Sequence, residues 1–172
     1  MPKLIIQSEN DSILFFNENF CNWTRDFKKP LVRWHTNKDK ILIRSLSSGN
    51  IFNKDTLTMD IHIEARDYSN EIKLIVKNNN TILSTNSISN FTLSGQSIGL
   101  TVRSYFSDSH IDLGNLEVKR ANILQRGYND IIVNPTDSLV GSIENAGRIL
   151  YYGDPGVKVV VRNGGELIKL ND

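Results

Sequence analysis

Alanine is nearly missing from this chain, with three residues in 172. It is the strongest helix former, and its scarcity argues against a largely helical protein. The single cysteine, Cys21, excludes an intramolecular disulfide and a Cys-based zinc site. No histidine signature accompanies Cys21-Asn22-Trp23, so a half-buried thiol is expected there and not a nucleophile. No apolar run approaches the roughly 20 residues that cross a bilayer. Charge of one sign is also lacking: 20 basic and 19 acidic residues leave a net +1, without the basic field that nucleic-acid binders carry. At 39% hydrophobic and 23% charged, the chain is neither disordered nor a membrane protein. What it does contain is 20 isoleucines, 17 leucines, 20 asparagines, 16 serines and 11 glycines. Isoleucine favours strands, while Asn, Ser and Gly favour turns.

These residues recur at a fixed spacing. Ile51, Ile72, Phe91, Ile111, Ile131, Ile149 and Leu167 are separated by steps of 21, 19, 20, 20, 18 and 18 residues. Two residues before each stand Gly49, Asn70, Ser89, Ser109, Asn129, Gly147 and Gly165, types that tolerate tight-turn or left-handed backbone. Four before stand Ser47, Tyr68, Ser87, Ser107, Gly127, Asn145 and Asn163, again mostly turn formers. Two after come Asn53, Leu74, Leu93, Leu113, Val133, Tyr151 and Lys169, apolar in the middle rungs only.

A corner followed by strand with period-2 burial, once per turn, describes a solenoid. Each turn is expected to hold roughly three short strands, with like residues stacked about 4.8 Å apart. Leu57, Met59, Ile61, Ile63 and Ala65 alternate with polar residues, as do Ile98, Leu100 and Val102, and Val157, Val159 and Val161 alternate with Lys158 and Val160. An antiparallel β-sandwich is the competing architecture, but it has no reason to keep one corner column at an 18–21 spacing. The whole chain, 1–172, is expected to be a single β-helix domain, with 1–40 an irregular N-terminal capping region and 41–172 the repeat turns. Residues 1–40 hold Trp23, Trp34, Phe15, Phe16, Phe20 and Phe27, read as the cap of an open solenoid end, with a ligand or partner surface as the alternative. One short helical turn is expected over residues 19–27.

The segment Ile143-Glu144-Asn145-Ala146-Gly147-Arg148-Ile149-Leu150-Tyr151-Tyr152-Gly153-Asp154-Pro155-Gly156-Val157 resembles the C-terminal signature of the head GIN domain family, bacterial auto-transporter adhesin-type proteins common in Bacteroidetes. Tyr151, Gly153 and Pro155 match its aromatic-x-Gly-x-Pro turn. Asn163-Gly164-Gly165-Glu166-Leu167-Ile168-Lys169-Leu170 matches its closing rung. Upstream, residues 107–116, 39–43 and 57–63 resemble its earlier rungs and paired strands, so the likeness covers roughly 35–170. The resemblance implies a right-handed single-stranded parallel β-helix in an extracytoplasmic setting, the cell surface or periplasm. It implies a role named by analogy with adhesin heads, and it carries no catalytic residues. The chain departs from the family in being poorer in glycine and richer in asparagine. Its first apolar stretch, Leu4-Ile5-Ile6, is too short for a secretory signal, which reads as a cytoplasmic protein or a mature segment.

Chemistry is sparse in the sequence. Asn163-Gly164-Gly165 has neither a dinucleotide nor a Walker pattern and reads as a corner. His35, His62 and His110 lie 27 and 48 residues apart, with no zinc spacing. His62 falls on the polar side of its strand. The column just before the anchors runs Asn50, Glu71, Asn90, His110, Asp130, Arg148 and Glu166. Its last members alternate in sign and should form a solvated ion-pair ladder. The catalytic alternative is a glycan-cleaving groove using Asp130 with Arg148 or Arg126. Asp108 with Asp112, or Asp130 with Asp137, could hold calcium, although no calcium loop surrounds them. Arg103, Lys119, Arg120, Arg126 and Arg162 are interleaved with acids, which argues against nucleic acid. Tyr105-Phe106, Tyr128 and Tyr151-Tyr152 recur at 22–24 residues. Packing in the core or at a corner is their simplest role; exposed in a row, they would favour carbohydrate.

The expected protein is thus a non-enzymatic, adhesin-like binding module with a glycan or surface-protein partner, no cofactor and no metal. No residue is assigned a catalytic, cofactor or metal role, and the ligand-binding residues are left unknown. The alternatives are a structural protein polymerising end to end through its open turns and, third, a polysaccharide-cleaving enzyme.

Overall fold

A computed structural model describes residues 4–9, 12–17, 31–33 and 35–171, and the chain divides into two compact units, Met1–Asn37 and Lys38–Asp172. The first contains β1 (Leu4–Glu9) and β2 (Ser12–Asn17), paired antiparallel from Leu4↔Asn17 to Glu9↔Ser12. A regular hairpin therefore occupies part of the stretch expected to be irregular. Its sequence signal is Asn10-Asp11 between two apolar runs. Cys21, the expected helical turn over 19–27 and the Phe and Trp side chains of residues 1–40 lie outside the described residues.

The second unit is built from strands that pair only in parallel: β3 (Lys40–Ser45), β4 (Gly49–Phe52), β5 (Asp60–Ala65), β6 (Asn70–Thr85), β7 (Asn90–Ser104), β8 (His110–Gln125), β9 (Ile131–Ile143), β10 (Arg148–Tyr151), β11 (Gly156–Val161) and β12 (Glu166–Lys169). This is a parallel β-solenoid of about seven turns, and the sandwich alternative falls because its strands would pair antiparallel. The anchor column holds throughout. Ile51 pairs with Ile72, Ile72 with Phe91, Phe91 with Ile111, Ile111 with Ile131, Ile131 with Ile149, and Ile149 with Leu167.

Two sequence expectations change. The central turns are not three short strands each. In β6 to β9 a single strand of 13 to 16 residues carries both arms of the turn. Only the outer turns split into separate strands, at β4/β5 and β10/β11. The corner column, moreover, is not there for its backbone freedom. Gly49, Asn70, Ser89, Ser109, Asn129, Gly147 and Gly165 all avoid positive φ, which falls instead at Gly95, Gly141, Gly153, Gly164 and at Asp67, Phe106 and Asn163. At Asn70, Ser89 and Ser109 the column is small and polar because it is buried, and at Gly147 and Gly165 it is small because there is no room, while Gly49 and Asn129 are exposed. A Cβ on Gly147 would lie 2.6 Å from the Gly127 carbonyl oxygen, and one on Gly165 2.3 Å from Ile143 Cγ2.

The interior accordingly has two compartments. Along the arms it is apolar: Ile72, Leu74, Phe91, Leu93, Ile111, Leu113, Ile131 and Val133 are buried, as are Ile61, Leu83, Val102 and Ile123 on the second arm. Full burial of such a side chain contributes about 1.5–3 kcal/mol. At the corner the interior is hydroxylic. Ser45 Oγ donates to Asn70 Oδ1 (2.7 Å), Asn70 Nδ2 to Ser89 Oγ (3.3 Å), and Ser109 Oγ accepts from the Ser89 amide (3.0 Å). Ser87 bridges Ser89 and Thr85 at 2.8 and 3.0 Å. Among the described residues no buried side-chain polar atom lacks a partner, as a corner that must turn without water requires. Ile98, expected inside, is exposed at the bend between the arms of β7.

Candidate functional site

The polar exterior of the first arm carries the column read as a charge ladder. Arg148 grips Asp130 bidentately, Nε and Nη2 each 2.7 Å from a carboxylate oxygen. Asp130 and the neighbouring Glu166 hold the guanidinium pKa above its usual value. Asn90 donates to Glu71 at 3.3 Å, and Lys73 lies 2.8 Å from the same carboxylate. Arg126 does not join Asp130. It pairs with Glu144 at 2.6 Å, and that hydrogen bond depresses the Glu144 pKa. The pair drawn from Asp130 and Arg126 is therefore not assembled, whereas the pair of Asp130 with Arg148 is. Asp112 caps the Gly114 amide at 3.1 Å. His62 sits half-buried, 3.4 Å from Ser84 Oγ and 3.7 Å from Glu64. Among the described residues no three His, Cys, Asp or Glu side chains gather in a metal-ligating group, and no helix is long and apolar enough to cross a membrane.

The corner is different. Its inward positions are taken by the hydroxyl network, so the residues between them point outward, and in four consecutive turns these are large and apolar. Tyr68 is 51% exposed, Ile88 66%, Phe106 72% and Tyr128 60%. Backbone hydrogen bonds stack the four corners, including Asn86 N to Ala65 O, Tyr105 N to Thr85 O and Arg126 N to Ser104 O. At about 4.8 Å per turn the row runs ~14 Å along the axis. Phe106 carries a second cost. Its φ of 46° lies in the left-handed region, which a bulky L-residue enters at roughly 1–2 kcal/mol. A Phe that is both strained and exposed contributes little to the fold, and such outliers concentrate at functional sites.

The sequence brought Phe106 and Tyr128 forward but grouped them with Tyr151, which instead packs against the core in the column of Val133. It missed Tyr68 and Ile88. The available signal was Tyr68 itself, the one aromatic in a column of turn formers.

By geometry the protein is a parallel β-solenoid, its polar exterior bearing ion pairs and one corner bearing an apolar row. The chain belongs to the family described as "Putative auto-transporter adhesin, head GIN domain", whose model matches residues 38–155. Within that span lies the Tyr151-Tyr152-Gly153-Asp154-Pro155 turn, where Gly153 has a φ of 74°. The fold is also similar to the crystal structure of a "putative adhesin" from Bacteroides fragilis, with a TM-score of 0.69, 16% identity, and coverage of 97% of this chain and 76% of that one. No curated protein matches the chain.

Proposed function

We propose that the protein is a non-catalytic, extracytoplasmic adhesin-like module that binds a saccharide through the corner row of Tyr68, Ile88, Phe106 and Tyr128. The exposed row carries this reading. Aromatic side chains present large rigid apolar area at low entropic cost, and apolar rows left in solvent mark interaction sites. A linear chain of sugar rings suits a linear row. The adhesin naming of the family and of the structural neighbour supports the same class of role. Binding to immobilised glycans tests it. The triple variant Tyr68→Ser, Phe106→Ser, Tyr128→Ser should keep its fold and lose binding; unchanged binding would remove the row from the site. Release of reducing ends from any polysaccharide, abolished by Asp130→Ala, would sink the non-catalytic reading.

A second reading is supported by the C-terminal turn. Val157 and Val161 are 41% and 44% exposed although their partners Leu139 and Ile143 are fully buried. An uncovered inward column and an unpaired strand edge would support end-to-end association. Sedimentation at rising concentration separates the two, since a filament former grows and a monomeric module does not.

A further inference from the structure

The second arm carries a shallow depression of about 290 Å³ on its outer surface. It spans four rungs of two outward columns: Asn80, Gly99, Arg120 and Ser138 in one, Ile82, Thr101, Asn122 and Val140 in the other. Three features bear on what it could hold.

The first is Gly99, which avoids positive φ. A glycine inside a strand weakens it and often marks where a ligand approaches. A Cβ at this position would point toward Asn80 Oδ1 at 3.0 Å, into the hollow.

The second is the state of the polar groups. Six asparagines elsewhere are committed: the side-chain amides of Asn53, Asn70, Asn78, Asn129, Asn145 and Asn163 hold backbone carbonyls. Around the depression, Thr101, Asn122 and Ser138 make no side-chain hydrogen bond among the described residues.

The third is charge. Arg44, Arg66, Arg126 and Arg148 each hold a carboxylate within 3.2 Å. Arg120 holds none among the described residues, and neither does Arg103, four residues beyond Gly99 on the same strand. The one carboxylate bonded to the depression's wall, Asp60, is already occupied by the Asn80 amide at 2.9 Å. Arg33 and Arg162 likewise hold no carboxylate among the described residues, but Arg120 is the one of these that lines the depression, its planar fork open beside uncommitted hydroxyl and amide groups. That is the donor set for a carboxylate flanked by hydroxyls.

We propose that this depression is a subsite for a carboxylate-bearing sugar unit, with Arg120 as the carboxylate partner and Thr101, Asn122 and Ser138 hydrogen-bonding the adjacent hydroxyls. The inference rests on the saccharide reading of the corner row and narrows its ligand to an acidic saccharide. The second arm leads along β7 from Thr101 past Arg103 to the Phe106 corner, so one extended chain can engage both.

The test uses the full chain with three probes: polygalacturonate, its carboxyl-reduced counterpart, and dextran sulfate. Wild-type protein should prefer polygalacturonate over the reduced polymer by about tenfold, the scale of one charge-assisted bond. Arg120→Gln and Arg120→Lys should both remove that preference, the lysine because it keeps the charge but loses the fork. Gly99→Val should do the same by filling the hollow, and thermal melts will identify any variant that fails to fold. Equal binding of acidic and reduced polymers overturns the subsite and leaves the corner row standing. Dextran sulfate bound as tightly as polygalacturonate, with Arg120→Lys unchanged, also overturns it, since general polyanion attraction then suffices. Failure of all three polymers and of immobilised neutral glycans removes the saccharide reading, and the subsite with it.

Discussion

The arms and the corner of this solenoid solve opposite problems with opposite residues. Along the arms the chain buries Ile, Leu and Phe and turns Glu, Asp and Arg outward. At the corner it buries Ser, Thr and Asn and turns Tyr, Ile and Phe outward. An arm has its backbone groups satisfied by neighbouring rungs, so its interior need only fill space. A corner has backbone amides that no regular ladder reaches, and short hydroxyl side chains supply the missing partners. Ser109 does both at once, accepting from the Ser89 amide and donating to the Ser87 carbonyl at 2.9 Å. The consequence is an inside-out segment. Its outward residues are released from any folding role, and on four turns the chain has made them apolar.

The sharpest way to break the contrast is to truncate one phenylalanine from each region. Phe91→Ala should cost about 3–5 kcal/mol in a urea titration because its ring is fully buried in the anchor column. Phe106→Ala should fall within about 0.5 kcal/mol of wild type, as surface substitutions do. Comparable losses at the two sites would mean that the corner ring is structural after all.

The hydroxyl network comes next. Ser89→Ala leaves the Asn70 backbone amide without the Ser89 hydroxyl and takes one of two hydroxyl partners from Ser87, which keeps Thr85, and an unsatisfied buried group costs about 1–3 kcal/mol. The melting temperature should fall, and rescue by a larger apolar residue would show that the corner interior is only a space to fill.

A smaller effect has the opposite sign. Phe106→Gly relieves the left-handed φ of 46° and should stabilise the fold by about 1 kcal/mol while weakening saccharide binding. Gain of stability with full binding would detach the strain from function.

The smallest effect is in acid. The Arg44 hydrogen bond holds the Glu64 pKa below its ordinary 4.5, and the Arg126 hydrogen bond does the same for Glu144. A depressed carboxylate adds stability that is complete above 4.5 and is lost as the pH falls through the folded-state value. Denaturation midpoints should therefore be flat above the carboxylate range and drop below it, with the drop reduced in Glu64→Gln.

The arms were legible because burial there has a strict period. Alternation in Leu57, Met59, Ile61 and Ile63, repeated at the anchor spacing, leaves a single register in which these residues and the anchors face inward. The first-arm ion pair was legible for the same reason, since Asp130 and Arg148 occupy equivalent positions on adjacent turns. The corner was legible as a position but not as a mechanism. Serine at a turn fits a backbone requirement and a hydrogen-bonding requirement equally well, and only the φ values and the inward contacts separate them. Two corners also hold one residue more than the others, with Asp67 and Phe106 at positive φ. Ile88 and Tyr128 stand three residues before their anchors, Tyr68 four and Phe106 five, so the sequence does not line the four up.

From the sequence alone came the β-solenoid, the anchor column, the family resemblance and the surface charge ladder. Each follows from spacing, and spacing survives in one dimension. The tertiary structure decided which polar residues are spent. Whether Asn78 holds a carbonyl while Asn122 holds nothing, or Arg148 is clamped while Arg120 stands open, depends on what the turns above and below present. Residues about 20 apart in sequence meet at about 5 Å, and no property of either residue by itself says whether the other completes it.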